Sequence, residues 1–143
     1  MVMATTTIAS LLKIGEVAAE SGLSVKTIRY YEETGLLLPM VERSEVGYRM
    51  FQPQVLNRLA FIRRSQALGL TLQEIQQILT VHDQGQLPCG EVRQHLELKV
   101  EAIEQQIHAL ETLRAELKGI LSGWEDQPSS DRIAQTICPN IQY

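Results

Sequence analysis

No apolar run in the 143 residues is long enough to cross a bilayer, and Met1 to Leu12 lacks both a basic leader and a full-length apolar core. Those absences argue against a membrane-spanning or secreted chain and lead us to expect a cytosolic protein. Aromatic bulk is scarce, being confined to Phe51, Phe61, Trp124 and four tyrosines. A core must therefore be built from Leu, Ile and Val, which suits helices. Cysteine is nearly absent as well. In a reducing compartment, Cys89 and Cys138 read as free thiols or metal ligands rather than a disulfide. No cluster of closely spaced cysteines exists to hold an iron-sulfur centre. The chain also has no phosphate loop, no nucleophile elbow and no spaced acid-base set, so we expect no enzyme.

Positive charge is in short supply too, with a net charge of -4. Taken alone, that argues against nucleic acid. The acidity is uneven, however: residues 11 to 81 carry eight Lys/Arg against seven Asp/Glu, and the remainder five against ten. Local charge decides whether a surface can meet DNA, so the first half can still present a basic face.

What is present reads as a mainly helical chain. Residues 1 to 11 look like a flexible extension. Ile14, Val17, Ala18 and Ala19 then keep helical spacing up to Ser21-Gly22, and Ser24 is placed to cap a second helix, Val25 to Glu33, ending at Gly35. Two short helices around a glycine turn make a helix-turn-helix, whose second helix reads DNA. Glu42 to Phe51 reads as a hairpin turning at Glu45-Val46-Gly47, a wing. Beyond Gln52-Pro53-Gln54 comes a helix in which Val55, Leu56, Leu59, Ile62 and Ala67 alternate with Arg58, Arg63 and Arg64. After Gly69, Thr71 and Glu74 form a capping box for a helix burying Leu72, Ile75, Ile78 and Leu79.

Pro88 opens a last helix, to about residue 122, along which Leu96, Val100, Ile103, Ile107, Leu110, Leu117 and Leu121 follow a four-three repeat broken only at Arg114. Such a helix is on the order of 50 Å long. A small domain cannot readily hide its stripe, so a second copy of the chain is the simplest partner, the alternative being a helix folded back on its own domain. Four segments result: the 1 to 11 extension, a 12 to 81 winged helix-turn-helix domain, an 88 to 122 dimerisation helix, and a polar 123 to 143 tail.

The run Lys13-Ile14-Gly15-Glu16-Val17-Ala18, then Ser24 through Glu32, Gly35-Leu36-Leu37, Gly47-Tyr48-Arg49, Phe61-Ile62-Arg63-Arg64 and Leu68 through Ile75 resembles the MerR family of bacterial transcription regulators, especially its metal-sensing members. The likeness implies a winged helix-turn-helix followed by an antiparallel coiled-coil dimerisation helix. It also implies a homodimer on a near-palindromic operator in double-stranded promoter DNA, which distorts that DNA on binding an effector so that RNA polymerase can engage.

Residue chemistry agrees with these roles. Lys26 and Arg29 lie three apart on the second helix, with Ser24 and Thr27 at its start, placed to reach phosphates or base edges. Tyr31 can offer its hydroxyl to the DNA backbone, with Tyr30 packing inward. Arg43 and Arg49 flank the wing, and Tyr48 gives a flat contact for the phosphate-sugar edge. Arg63 and Arg64 are further phosphate contacts or a solvated helix face.

The sensing end is less defined. Metal-sensing members resembling this chain carry a cysteine or serine at the start of the pairing helix and two cysteines beyond its end. Cys89 and Cys138 match the outer positions, while Trp124 stands where the middle one would be. Across a dimer, Cys89 and Cys138 offer a two-sulfur site for Hg²⁺ or Cu⁺; Zn²⁺ would want about four ligands and need help from His82, His95, Asp126 or water. Redox sensing and a small-molecule effector are the alternatives within this class. A dimeric protein-binding adaptor without DNA binding is the alternative from another class.

Overall fold

The computed structural model describes residues 10–142. Most of the proposed N-terminal extension, residues 1–9, lies outside the described residues. Strand β1 (Leu12–Lys13) leads into α1 (Ile14–Ser21) and α2 (Val25–Glu33). Strands β2 (Val41–Arg43) and β3 (Arg49–Phe51) form the wing, followed by α3 (Val55–Ala67), α4 (Leu72–Asp83), the long α5 (Cys89–Ser122) and the short α6 (Ser130–Gln135). The chain divides into two compact units, residues 1–97 and 98–143. Among the described residues, no helix is long and apolar enough to cross a membrane.

The first unit follows its local signals. Gly22 ends α1 in the left-handed region at φ 76°, where a side chain would be strained, and its N–H returns to the Ala18 carbonyl. The Ser24 hydroxyl accepts from the Thr27 N–H, capping α2 as its sequence predicts. At α4, Thr71 and Glu74 close a reciprocal capping box. Between β2 and β3 the chain reverses at Gly47, whose N–H reaches the Ser44 carbonyl.

Two short segments had no signal. Strand β1 pairs antiparallel with β3, Leu12 opposite Phe51 and Lys13 opposite Met50, so the sheet has order β1-β3-β2 and β3 is central. Two residues are too few for a period to appear in the sequence. In the second unit, α6 arises within the expected polar tail, with Ser129 capping it.

One core holds the first unit together. Val17 of α1, Ile28 and Tyr31 of α2, Phe51 of β3, Leu59 and Ile62 of α3 and Ile75, Ile78 and Leu79 of α4 are all buried. Leu36 and Leu37, in the loop after α2, join it together with Val55 and Leu70. Burying such side chains is worth roughly 1.5–3 kcal/mol each. The alternation along α3 does not sort its residues by burial: Ala67 is exposed, whereas Arg58 is 6% exposed. Arg58 stays buried because all its charge is met. Its Nη atoms donate to both Asp83 carboxylate oxygens at 2.7 and 2.9 Å, and its Nε donates to the Leu36 carbonyl. That bridge ties the loop after α2 to the last residue of α4.

Candidate DNA interface

Helix α2 lays its apolar residues Ile28 and Tyr31 on the core and turns Lys26, Arg29 and Tyr30 to solvent. Beside it, the wing closes a cleft of about 450 Å³ lined by Lys13, Ile14, Arg29, Arg43, Gly47, Tyr48 and Arg49. Four cations and one exposed tyrosine therefore line one hollow. A surface of this kind attracts phosphate through charge and can fix register through the arginine forks. Nothing in the local sequence marks Lys13 as a contact residue. It enters the cleft because β1 joins the sheet, a pairing without a local sequence signature.

Within this face the side chains are partly committed already. The Ser24 and Thr27 hydroxyls are 2.9 Å apart, and Ser24 also caps the helix. Arg43 Nη1 donates to the Gly47 carbonyl at 3.1 Å, bracing the wing turn. Arg49 Nε lies 2.8 Å from Glu32 Oε1 across the junction of wing and α2. On α3, Arg63 donates to the Ser21 carbonyl at 3.0 Å, so it braces the end of α1 as well as facing solvent; Arg64 is exposed.

The assignment of the adjacent tyrosines is reversed. Tyr31, expected to reach DNA, is 6% exposed and donates its hydroxyl to Gln66 Oε1 at 2.6 Å, while Tyr30 is 52% exposed. Helical rotation of about 100° per residue lets one tyrosine of the pair face inward, and Gln66 on α3 supplies the polar partner that a buried hydroxyl requires. Burial raises the Tyr31 pKa above its ordinary 10.0; nearby Arg63 opposes that shift and Tyr30 adds to it.

On the sensing side, Cys89 is exposed as the first residue of α5. In the second unit Cys138 is half-buried, and its backbone N–H, with that of Ile137, donates to Gln142 Oε1. The loop around it is braced on Glu125. Arg132 pairs with that carboxylate at 3.1 Å, and Asn140 exchanges hydrogen bonds with the Glu125 backbone. Among the described residues, no three His, Cys, Asp or Glu side chains of one chain come together as a metal cluster. His95 Nδ1 faces Glu74 Oε2 of α4 at 3.7 Å.

On the first turns of α5, Leu96 is half-buried. In the second unit Val100, Ile103, Ile107, Leu110, Leu117 and Leu121 are all exposed, as are Leu98 and Leu113.

Comparison with known proteins adds to this geometry. Residues 12–81 match the family described as MerR HTH family regulatory protein, and residues 56–120 the family described as MerR, DNA binding. The chain is 44% identical over 101 residues to the mercuric resistance operon regulatory protein of Bacillus cereus, covering 71% of this chain and 76% of that protein. Among solved structures it resembles the transcription regulator PbrR691 from Ralstonia metallidurans CH34 in complex with lead(II), with TM-score 0.69 and 35% identity over 82% of this chain and 91% of the other. It also resembles HiNmlR, a regulator lacking the sensor domain and bound to promoter DNA, with TM-score 0.53 and 26% identity over 79% and 89% of the two chains.

Proposed function

The chain belongs to the MerR family of helix-turn-helix transcription regulators, and on that premise we propose that it binds a near-palindromic promoter operator as a homodimer and switches transcription when a thiophilic metal ion binds. The observation that carries this reading is the cleft between α2 and the wing, where Lys13, Arg29, Arg43 and Arg49 line one surface with Tyr48. Lys26 and Arg29 approach base edges and phosphates from α2, while Arg43, Tyr48 and Arg49 hold the flanking backbone. Arg64 extends the phosphate contacts. These contacts act in the cytoplasm, where the promoter is. The relatives are regulators, not enzymes.

The dimer is supported by the exposed apolar row of α5. Ile107, for instance, remains 50% exposed in the single chain. Each half-covered Leu or Ile forgoes about 1 kcal/mol that a facing helix would recover. Antiparallel pairing about a twofold axis brings the start of one α5 near the end of the other, where Cys89 of one subunit and Cys138 of its partner can share an ion. The lead-bound relative and the mercury-resistance regulator support a soft metal over a hard one. Hg²⁺ and Cu⁺ suit two thiolates.

Distorting a short duplex costs about 1–6 kcal/mol. A metal ion that binds one dimer state more tightly than the other can supply that difference, presenting the promoter to RNA polymerase in a competent form.

The test is a mobility-shift titration of the purified dimer on its own upstream promoter fragment, repeated over a range of salt concentrations. Binding should weaken steeply with salt, and Arg29→Ala should weaken it further while reducing the salt slope by about one unit. Failure of the wild-type protein to shift that fragment at low salt would overturn the DNA reading.

A further inference from the structure

Lys26, Arg29 and Glu32 follow one another at steps of three along α2 and share a side of the helix. An acid in that row is unexpected on a surface that meets phosphate. Its carboxylate, however, is turned away from solvent. The Glu32 side chain is 14% exposed, its Oε1 is fully buried, and the atom facing it is the equally buried Arg49 Nε at 2.8 Å. The contact is electrostatic rather than an aligned hydrogen bond.

We infer that Glu32 is a positioning residue for DNA recognition: by holding Arg49 it fixes the wing against the reading helix. This rests on the DNA reading above. The sheet explains why one contact has such reach. Arg49 belongs to the central strand β3, with Lys13 carried by β1 on one side and Arg43 by β2 on the other. Locking Arg49 to α2 therefore references the three wing-side cations of the cleft to Arg29 on the helix.

Arg43 also stands directly opposite Arg49 in the ladder. Like charges in that arrangement repel, and the Glu32 carboxylate offsets the repulsion. The remainder of Arg49, with its side chain 35% exposed, still lines the cleft.

The positioning role predicts a sign opposite to simple electrostatics. Removing an acid near DNA should tighten binding to any duplex. If Glu32 positions the wing, Glu32→Gln should instead weaken operator binding by roughly tenfold, the scale of one lost specific contact. Binding to an unrelated duplex should hold or tighten, so the ratio of operator to unrelated affinity falls.

The experiment measures both affinities by mobility shift for the wild type, Glu32→Gln, Arg49→Gln, the double variant and Glu32→Asp, with thermal melts to confirm folding. The double variant should bind operator no worse than Arg49→Gln alone. Glu32→Asp, one methylene shorter but still charged, should show an intermediate ratio and decides the matter if Glu32→Gln does not fold. An unchanged or improved ratio in Glu32→Gln or Glu32→Asp, or additive losses in the double variant, would overturn the inference. A wild-type protein that does not distinguish operator from unrelated DNA would instead overturn the DNA reading itself.

Discussion

Cutting the Arg58–Asp83 bridge from its two ends should give unequal results. The guanidinium side chain is 5% exposed and the carboxylate side chain 28%. Arg58→Met keeps much of the apolar stem and leaves behind a carboxylate that water can reach, along with a Leu36 carbonyl that has lost its donor. We expect a loss of about 2–3 kcal/mol, near one charge-assisted hydrogen bond. Asp83→Ala leaves a buried cation facing one carbonyl, and breaking a buried pair in this way costs about 3–5 kcal/mol. Removing both charges should be less damaging than Asp83→Ala alone, because no buried ion then lacks its counterion. Urea unfolding followed by helical circular dichroism would measure the three variants. Protein concentration must be held fixed, since dimerisation contributes to apparent stability. With a urea dependence of about 1–3 kcal/mol per M, each kcal/mol corresponds to a midpoint shift of about 0.3–1 M. If Asp83→Ala proves milder than Arg58→Met, or if the double variant shows the sum of the two losses, the account of Arg58 as a buried, fully satisfied cation is wrong.

Tyr31→Phe should cost about 1 kcal/mol through loss of the bond to Gln66 while leaving operator affinity unchanged. Because burial raises the Tyr31 pKa, the contribution of its neutral hydroxyl is whole below the unfolded tyrosine value of about 10 and is lost as pH rises through the higher folded value. The stability gap between wild type and variant should therefore narrow in alkaline melts, and a constant gap would contradict the burial argument. Ile107→Lys, placing charge in the middle of the α5 row, should halve the mass seen in sedimentation and weaken operator binding; a stable dimer would show that the row is not the pairing surface. Cys89→Ser and Cys138→Ser should each abolish Hg²⁺ binding by calorimetry and metal-induced transcription. Full induction in both would remove the two-thiol site, and a response to oxidant without metal would favour redox sensing.

Features set by neighbours in the chain were legible before the structure. The positive-φ stop at Gly22, the Ser24 cap, the Thr71–Glu74 box and the apolar row of α5 depend on a few adjacent residues or on one helical period. The Lys26–Arg29 spacing was likewise readable, because i and i+3 share a side of any helix. Which side met solvent was a different matter. Tyr30 and Tyr31 are indistinguishable by type, and the choice between them was made by Gln66, 35 positions away. Arg58 looks like a surface cation until Asp83 and the Leu36 carbonyl close around it. Lys13 joins the cleft through β1, and Arg49 is held by Glu32, through contacts that no local pattern encodes. The sequence by itself determined where helices α1 to α5 lie and which residues carry charge. Tertiary structure decided which charges are buried, which are braced and which face the cleft, because desolvation and ion pairing depend on groups distant in the chain.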